Sequence, residues 1–314
     1  MTTKLIIDTD PGVDDAMAIH YAFAHPDLDV LALTSIFGNV WVEQATRNAL
    51  VLAEQAAYPC LVAEGDSQPL VMPPNAPSHY VHGDEGFGDL PAMTPKGKSD
   101  PRPAYELIAD FCRQYPGEVV LAPVGPLTNI AKLLEHDPGI TRYVKKVVIM
   151  GGAVRCPGNV SNYAEANIWN DPHAADRVFA ADWPIELIGL DITQKIKCHP
   201  EHFEQIAQQS PKIGGFLRDI SSFYIKFYHS VIGEYVCLMH DPTAIIAITN
   251  PDLFTYEEIP LEVVLEGEAI GQTRPSKDAM RRSVRIAMAA DGEKIRNTFL
   301  DICGETDKIV ALRR

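Results

Sequence analysis

A chain of 314 residues with 46% apolar side chains has enough material for a substantial core, as one large α/β domain or two small ones. Its formal net charge of -15 argues against a general nucleic-acid or anionic-membrane binder, since a polyanion is held by basic surface that releases its counterions. A neutral small molecule is the expected partner. The six cysteines, Cys60, Cys112, Cys156, Cys198, Cys237 and Cys303, lie far apart without a C-x-x-C pair, which argues against a zinc knuckle or a compact disulfide scaffold and predicts reduced thiols. The first residues lack the apolar stretch of a secretory signal, and no apolar run approaches bilayer length, so a cytoplasmic protein is expected.

The first predicted strand, near 4–9, runs directly into Asp8-Thr9-Asp10-Pro11-Gly12-Val13-Asp14-Asp15. Each like-charged pair at contact costs on the order of 1 kcal/mol in water and more in a lower dielectric. Carboxylates this dense at a strand end predict a hard divalent cation among them, since calcium and magnesium both take such oxygens. The plainer alternative is a solvated turn in which Asp14 or Asp15 complements the dipole of the next helix.

Further strands are predicted near 29–36, 60–63, 118–123, 145–150 and 185–190, alternating with helices near 14–24, 42–56, 103–115, 127–135 and 172–181. That alternation predicts βαβ units building a mainly parallel sheet with right-handed crossovers. Pro103 and Pro172 suit first-turn positions, and Asp171 suits a cap. Several strand ends carry turn or amide residues, as in Gly38-Asn39, Pro123-Val124-Gly125 and Met150-Gly151-Gly152, and ligands of open α/β sheets collect at those ends. The Pro/Gly-rich stretch from Gly65 to Pro103 contains His79-Tyr80-Val81-His82-Gly83-Asp84-Glu85-Gly86-Phe87, and loops of that length are usually functional or mobile. Beyond Asp191, helices are predicted near 200–209 and 212–230, with another led by His240-Asp241-Pro242, then antiparallel strands within 253–290 and a closing helix at 291–304. No linker or internal repeat separates a second unit, so residues 1–314 are read as one domain.

Three separated segments, DTDPGVDD at 8–15, GNVSNYAEANIWNDP at 158–172 and HDP at 240–242, together resemble the inosine-uridine-preferring nucleoside hydrolase family, with HGDEGFGD and GPLTNIA in support. The resemblance spans essentially the whole chain. It implies a modified doubly wound, Rossmann-like α/β fold, assembly as a homodimer or homotetramer, and calcium-dependent hydrolysis of the N-glycosidic bond of ribonucleosides. By position it implies Asp10, Asp15, Asp241 and the carbonyl of Val124 as calcium ligands. A water on that calcium would attack C1′ with Asp10 as general base, on the face opposite the base, so the anomeric carbon inverts. Asp14, Asn39, Asn159, Glu165 and Asn167 would hold the ribose against Met150, with Asp14 on the 2′-hydroxyl and Asn159 and Glu165 on the 5′-hydroxyl. Asp8 is given structural hydrogen bonding only. Standing alone, Asn39 and Asn159 would each read as turn residues following glycine.

The departing base needs a proton or stabilisation as an anion, and the candidates are His82, His240, Tyr224 and Tyr228. Family members of broad range add an Arg where this chain has Ile232. That departure weakens an acid relay and tilts the expectation towards pyrimidine ribonucleosides, or pyrimidines plus inosine. His82 and Phe87 are expected to stack on the base as the long loop closes, with Trp169 a weaker candidate. Two other classes compete. A haloacid-dehalogenase-type phosphatase would use Asp8 and Asp10 as its D-x-D, but the later segments supply amides where it needs a phosphate-binding cation. A calcium-dependent ribose-binding protein would keep the site without the chemistry.

Overall fold

The computed structural model describes residues 2–313. In chain order the elements are β1 (Thr3–Thr9), α1 (Val13–Ala24), β2 (Leu28–Ser35), α2 (Val42–Gln55), β3 (Leu61–Ala63), α3 (His79–His82), α4 (Ala104–Gln114), β4 (Val119–Pro123), α5 (Thr128–His136), β5 (Val144–Met150), α6 (Ala166–Asn170), α7 (Pro172–Ala180), β6 (Ile185–Ile188) and α8 (Leu190–Thr193). They continue with β7 (Lys197–Cys198), α9 (Pro200–Gln209), α10 (Ile213–Ile232), β8 (Cys237–Leu238), α11 (His240–Thr249), β9 (Phe254–Val263), β10 (Thr273–Pro275), β11 (Ser283–Ala290), α12 (Gly292–Gly304) and α13 (Thr306–Arg313).

Nine strands form one sheet in the order β10-β9-β11-β6-β5-β4-β1-β2-β3. The run β3-β2-β1-β4-β5-β6 is parallel throughout, which is the doubly wound order with its switch point between β1 and β4. β11 joins β6 in parallel, and β9 and β10 complete that edge antiparallel. Each central strand sends alternate side chains to opposite faces, as pleating requires. Leu5, Ile7, Val120, Ala122 and Val148 pack on one face, and Ile6, Val119, Leu121, Val147 and Ile149 on the other. With both faces buried, these strands read as continuous apolar runs, which is why they were legible in the sequence.

Three details depart from the sequence reading. Pro103 precedes α4 as its cap with ψ of 153°, outside the first turn, whereas Pro172 opens α7 as expected. The short helices α3, α6 and α8, and the two-stranded β7–β8 sheet, have too few residues to show a period. The chain also closes with a second helix, α13, after α12.

Asp171 caps α7 by accepting from Ala174 N at 3.0 Å, and the same buried carboxylate accepts from Leu70 N at 2.8 Å and Thr128 Oγ1 at 2.7 Å. One side chain thereby ties the long 65–103 segment to two helices. Asp171→Ala is expected to lower the urea-unfolding free energy by about 3 kcal/mol, because it strands buried donors as well as removing a cap.

His20 on α1 is buried, with Nε2 3.1 Å from Gln55 Oε1 and no partner for Nδ1 among the described residues. Burial pushes its pKa down to about 4. The unfolded imidazole takes up a proton near pH 6.5 and the folded one does not, so this contribution is complete above pH 6.5 and is lost as the pH falls towards 4. Urea midpoints at pH 7 and pH 5 should fall with acidification, and His20→Asn should show a shallower slope, by up to about one proton.

Candidate active site

The switch point sets β1 beside β4 and brings the chain past their carboxyl ends. Asp10 follows β1, the Pro11-Gly12 turn leads into α1, and the first turn of α1 carries Asp14 and Asp15. Asp241 sits in the first turn of α11, which packs along α1. Carboxylate oxygens of Asp14, Asp15 and Asp241 lie within 4.8 Å of one another, and all three residues are buried. Asp15 is held by three donors: Thr9 Oγ1 at 2.5 Å, Gly12 N at 3.0 Å and Asn39 Nδ2 at 3.0 Å. Asp10 accepts from Asn39 N at 2.6 Å through Oδ2, while its Oδ1 has no partner among the described residues. The backbone presses against this carboxylate: a Cβ on Gly38 would lie 2.1 Å from Asp10 Oδ2, and one on Gly125 would lie 2.6 Å from Oδ1. Only glycine permits that approach.

Burial, reinforced by Asp15, pushes the Asp10 carboxyl well above the usual range and Asp14 up to about 8. Burial followed by Asp14, Asp15 and Asp10 does the same to Asp241. Four buried carboxyls with no Lys or Arg among them resist ionising together. A divalent cation reverses that preference, and the unpartnered Oδ1 atoms of Asp10 and Asp14 are oxygens such an ion would satisfy. The residues present therefore fit a metal. The tight trio includes Asp14 rather than Asp10, whose Oδ2 is engaged by Asn39 N.

Above the acids opens a cavity of about 340 Å³, within the range of small-molecule sites. Asp14, Asn39, His82, Val124, Met150, Asn159, Glu165, Asn167, Tyr228, His240 and Asp241 all line it, whereas Asp10 and Asp15, and the proposed base-stacking Phe87 and Trp169, do not. Asn167 Nδ2 donates to Val124 O at 2.8 Å and Met150 O at 3.1 Å, fixing the carbonyl that follows β4. Glu165 caps α6, accepting from Asn167 N, Ile168 N and Gly152 N, and burial raises its pKa against those bonds. Asn159 is exposed at the rim, and its Oδ1 accepts from Ala166 N, leaving Nδ2 for a ligand.

The opposite end is a chain of neutral groups. Thr193 Oγ1 lies 2.8 Å from His240 Nδ1, His240 Nε2 lies 2.8 Å from Tyr228 OH, Tyr228 OH lies 3.4 Å from Tyr224 OH, and Tyr224 OH donates to Asp14 Oδ2 at 3.2 Å. Burial lowers the pKa of His240 to about 4 and that of His82, helped by His240, to about 3, so both are neutral near pH 7. His82 Nδ1 accepts from Val13 N at 3.2 Å, which anchors α3 to the turn after β1. The sequence reading missed Thr193, whose position beside His240 no local pattern signals.

Phe87 is not in the cavity. It is buried edge-on against Phe216, with ring centroids 5.3 Å apart, because the glycines beside it turn it into the core. Trp169 is also absent from the lining and packs by Gly271. Asp8 accepts from Thr34 Oγ1 at 2.5 Å and Asn129 Nδ2 at 2.7 Å, cross-bracing β1 to β2 and α5. Ile232 ends α10 at the mouth, and no Lys or Arg lines the cavity among the described residues.

A doubly wound sheet with buried acids at its switch point, and above them a cavity acidic at one end and walled by apolar and aromatic side chains at the other, has the layout of an α/β enzyme site. The family description "Inosine-uridine preferring nucleoside hydrolase" matches residues 5–297. Uridine nucleosidase 1 of Arabidopsis thaliana is 41% identical over 271 residues, covering 86% of this chain and 81% of that one. The inosine-uridine preferring nucleoside hydrolase of Crithidia fasciculata is 34% identical over 309 residues, covering 96% and 97%. Among solved structures, a purine-preferring ribonucleoside hydrolase from Gardnerella vaginalis superposes with a TM-score of 0.93 at 34% identity, covering 98% and 99%. The chain belongs to the inosine-uridine preferring nucleoside hydrolase family and is a ribonucleoside hydrolase.

Proposed function

We propose that the chain, as one domain over 1–314, hydrolyses uridine and related pyrimidine ribonucleosides, with inosine as a further substrate, in a calcium-dependent reaction that uses Asp10 as general base. The observation that carries this is the set of buried carboxylates below the cavity, the trio of Asp14, Asp15 and Asp241 with Asp10 nearby, in which Oδ1 of Asp10 and Oδ1 of Asp14 lack partners among the described residues. Asp10, Asp15, Asp241 and the Val124 carbonyl would hold the ion, with Asp14 beside it. Bound calcium supplies a Lewis acid for the attacking water and an anchor for vicinal hydroxyls.

The chain's own residues do the rest. Asp10 accepts the proton of water as the new C–O bond forms at C1′ and the N-glycosidic pair leaves with the base. Asp14 accepts from the 2′-hydroxyl, and Asn159 and Glu165 hold the 5′-hydroxyl. The carboxylates and amide oxygens favour positive charge building on the ribose. His240, through Tyr228, and His82 donate to the departing base as neutral hydrogen-bond donors, since no Lys or Arg lines the cavity among the described residues. The pyrimidine preference is supported by the name of the Arabidopsis relative and by Ile232 at the mouth, and is opposed by the name of the Gardnerella structure.

A homodimer or homotetramer follows from the family resemblance, with light scattering as its test. A cytoplasmic location is supported by six unpaired cysteines, and no helix among the described residues is long and apolar enough to cross a membrane. The deciding assay is reducing-sugar release from uridine, cytidine, inosine and adenosine, with chelator and then with added calcium. Calcium-restored release from uridine is expected, and uridine should exceed 2′-deoxyuridine by several orders of magnitude in kcat/KM, because the missing hydroxyl leaves a buried carboxylate unpaired. A strict purine preference would overturn the pyrimidine assignment. Release of phosphate from a monoester without release of ribose would mark a phosphatase.

A further inference from the structure

The cavity lining divides by chemistry. Acids and amides hold the ribose, and tyrosines and histidines run along the leaving-group end. Among the remaining polar residues, Tyr80 is largely exposed and tilts against Phe227, with ring centroids 5.9 Å apart, and Ser78 offers a single hydroxyl before α3. Gln194 differs from both. It caps the carboxyl end of α8, one helical turn beyond Leu190, and both side chains face the cavity. Thr193, the preceding residue, holds His240 Nδ1, which places Gln194 at the leaving-group end. Its half-buried amide makes no side-chain hydrogen bond among the described residues, whereas Asn39, Glu165, Asn167, Tyr224, Tyr228 and His240 of the same lining are each engaged.

An amide carries one acceptor and one two-proton donor side by side. Uracil and hypoxanthine share the complementary edge, a ring N–H beside a carbonyl, although their ring systems differ in size. We infer that Gln194 reads this lactam edge, its carbonyl accepting from the ring N–H and its amide N–H donating to the adjacent carbonyl. One side chain would then admit uridine and inosine together, while the surrounding apolar wall of Phe227, Val231, Ile232 and Leu238 tolerates either ring size. The inference rests on the nucleoside hydrolysis proposed above and names the group that selects the base.

The test compares kcat/KM for uridine with that for 3-methyluridine, and for inosine with that for 1-methylinosine, in the wild type, Gln194→Met and Gln194→Glu. Methylation removes the ring N–H and leaves the ribose intact. The wild type is expected to prefer each unmethylated nucleoside by about 30-fold or more, since a site built to bond a polar group rejects the analogue lacking it. Gln194→Met keeps the length of the side chain and loses both bonds, so each ratio should collapse to about threefold or less. Gln194→Glu keeps an acceptor and should fall between. Each ratio divides out the fraction of active enzyme, so partial misfolding does not mimic the result. A wild-type ratio near one, or a Gln194→Met ratio equal to that of the wild type, overturns the role of Gln194 while leaving the hydrolase reading in place. Failure of the wild type to release ribose from either parent nucleoside defeats that reading, and this inference with it.

Discussion

Asp10→Asn should lower kcat for ribose release from uridine by at least about 10³-fold, the middle of the range for loss of a general base, while nucleoside binding measured by calorimetry persists. The amide has nearly the volume of the carboxylate, which matters where Gly38 and Gly125 press against both oxygens. It also keeps an oxygen for Asn39 N, so the turn after β1 retains its bond. What it loses is the capacity to take a proton at the position of the unpartnered Oδ1. Because one of the mutually repelling buried acids is gone, the chelated variant should melt above the chelated wild type. Activity equal to that of the wild type would remove Asp10 from the base role.

Asp241→Ala should abolish both calcium binding and turnover. Its carboxylate closes the trio with Asp14 and Asp15 from across the α1–α11 contact, so no neighbouring side chain replaces it. Calcium affinity is expected to fall at least about 100-fold, beyond the loss typical for groups that merely orient a ligand. The wild-type Tm should rise with calcium, because an ion that binds only the folded state stabilises it by mass action, and the variant's Tm should not. Calorimetric stoichiometry unchanged from the wild type would contradict the assignment of Asp241 as a ligand.

The two expectations differ in how their residues became visible. Asp10 is legible locally, because an apolar strand that ends in four acids within eight residues poses an electrostatic problem in any fold. Asp241 is one acid in an apolar helix 226 positions beyond Asp15, and only the resemblance of His240-Asp241-Pro242 to a family pattern brought the two together. The structure supplies the physical link, since α11 is buried on all sides and packs along α1, so the first turns of both helices open at the same end of the sheet. His82 was legible as a loop histidine near the site, but its bond to Val13 N was not. Phe87, in the same loop, carried the same expectation and went into the core instead.

Local patterns in the chain dictate the parallel strands, most of the helices between them and the acidic turn, and its motifs mark the family. These depend on periodicity and local charge density, which are properties of neighbouring residues. Tertiary structure alone decided the strand order that opens the cleft between β1 and β4, the hydrogen-bonded line from Thr193 through His240 and the two tyrosines to Asp14, and the placement of Gln194 beside it. Those contacts join residues up to 210 positions apart, and their existence depends on how buried surfaces pack, which no local window of the chain encodes.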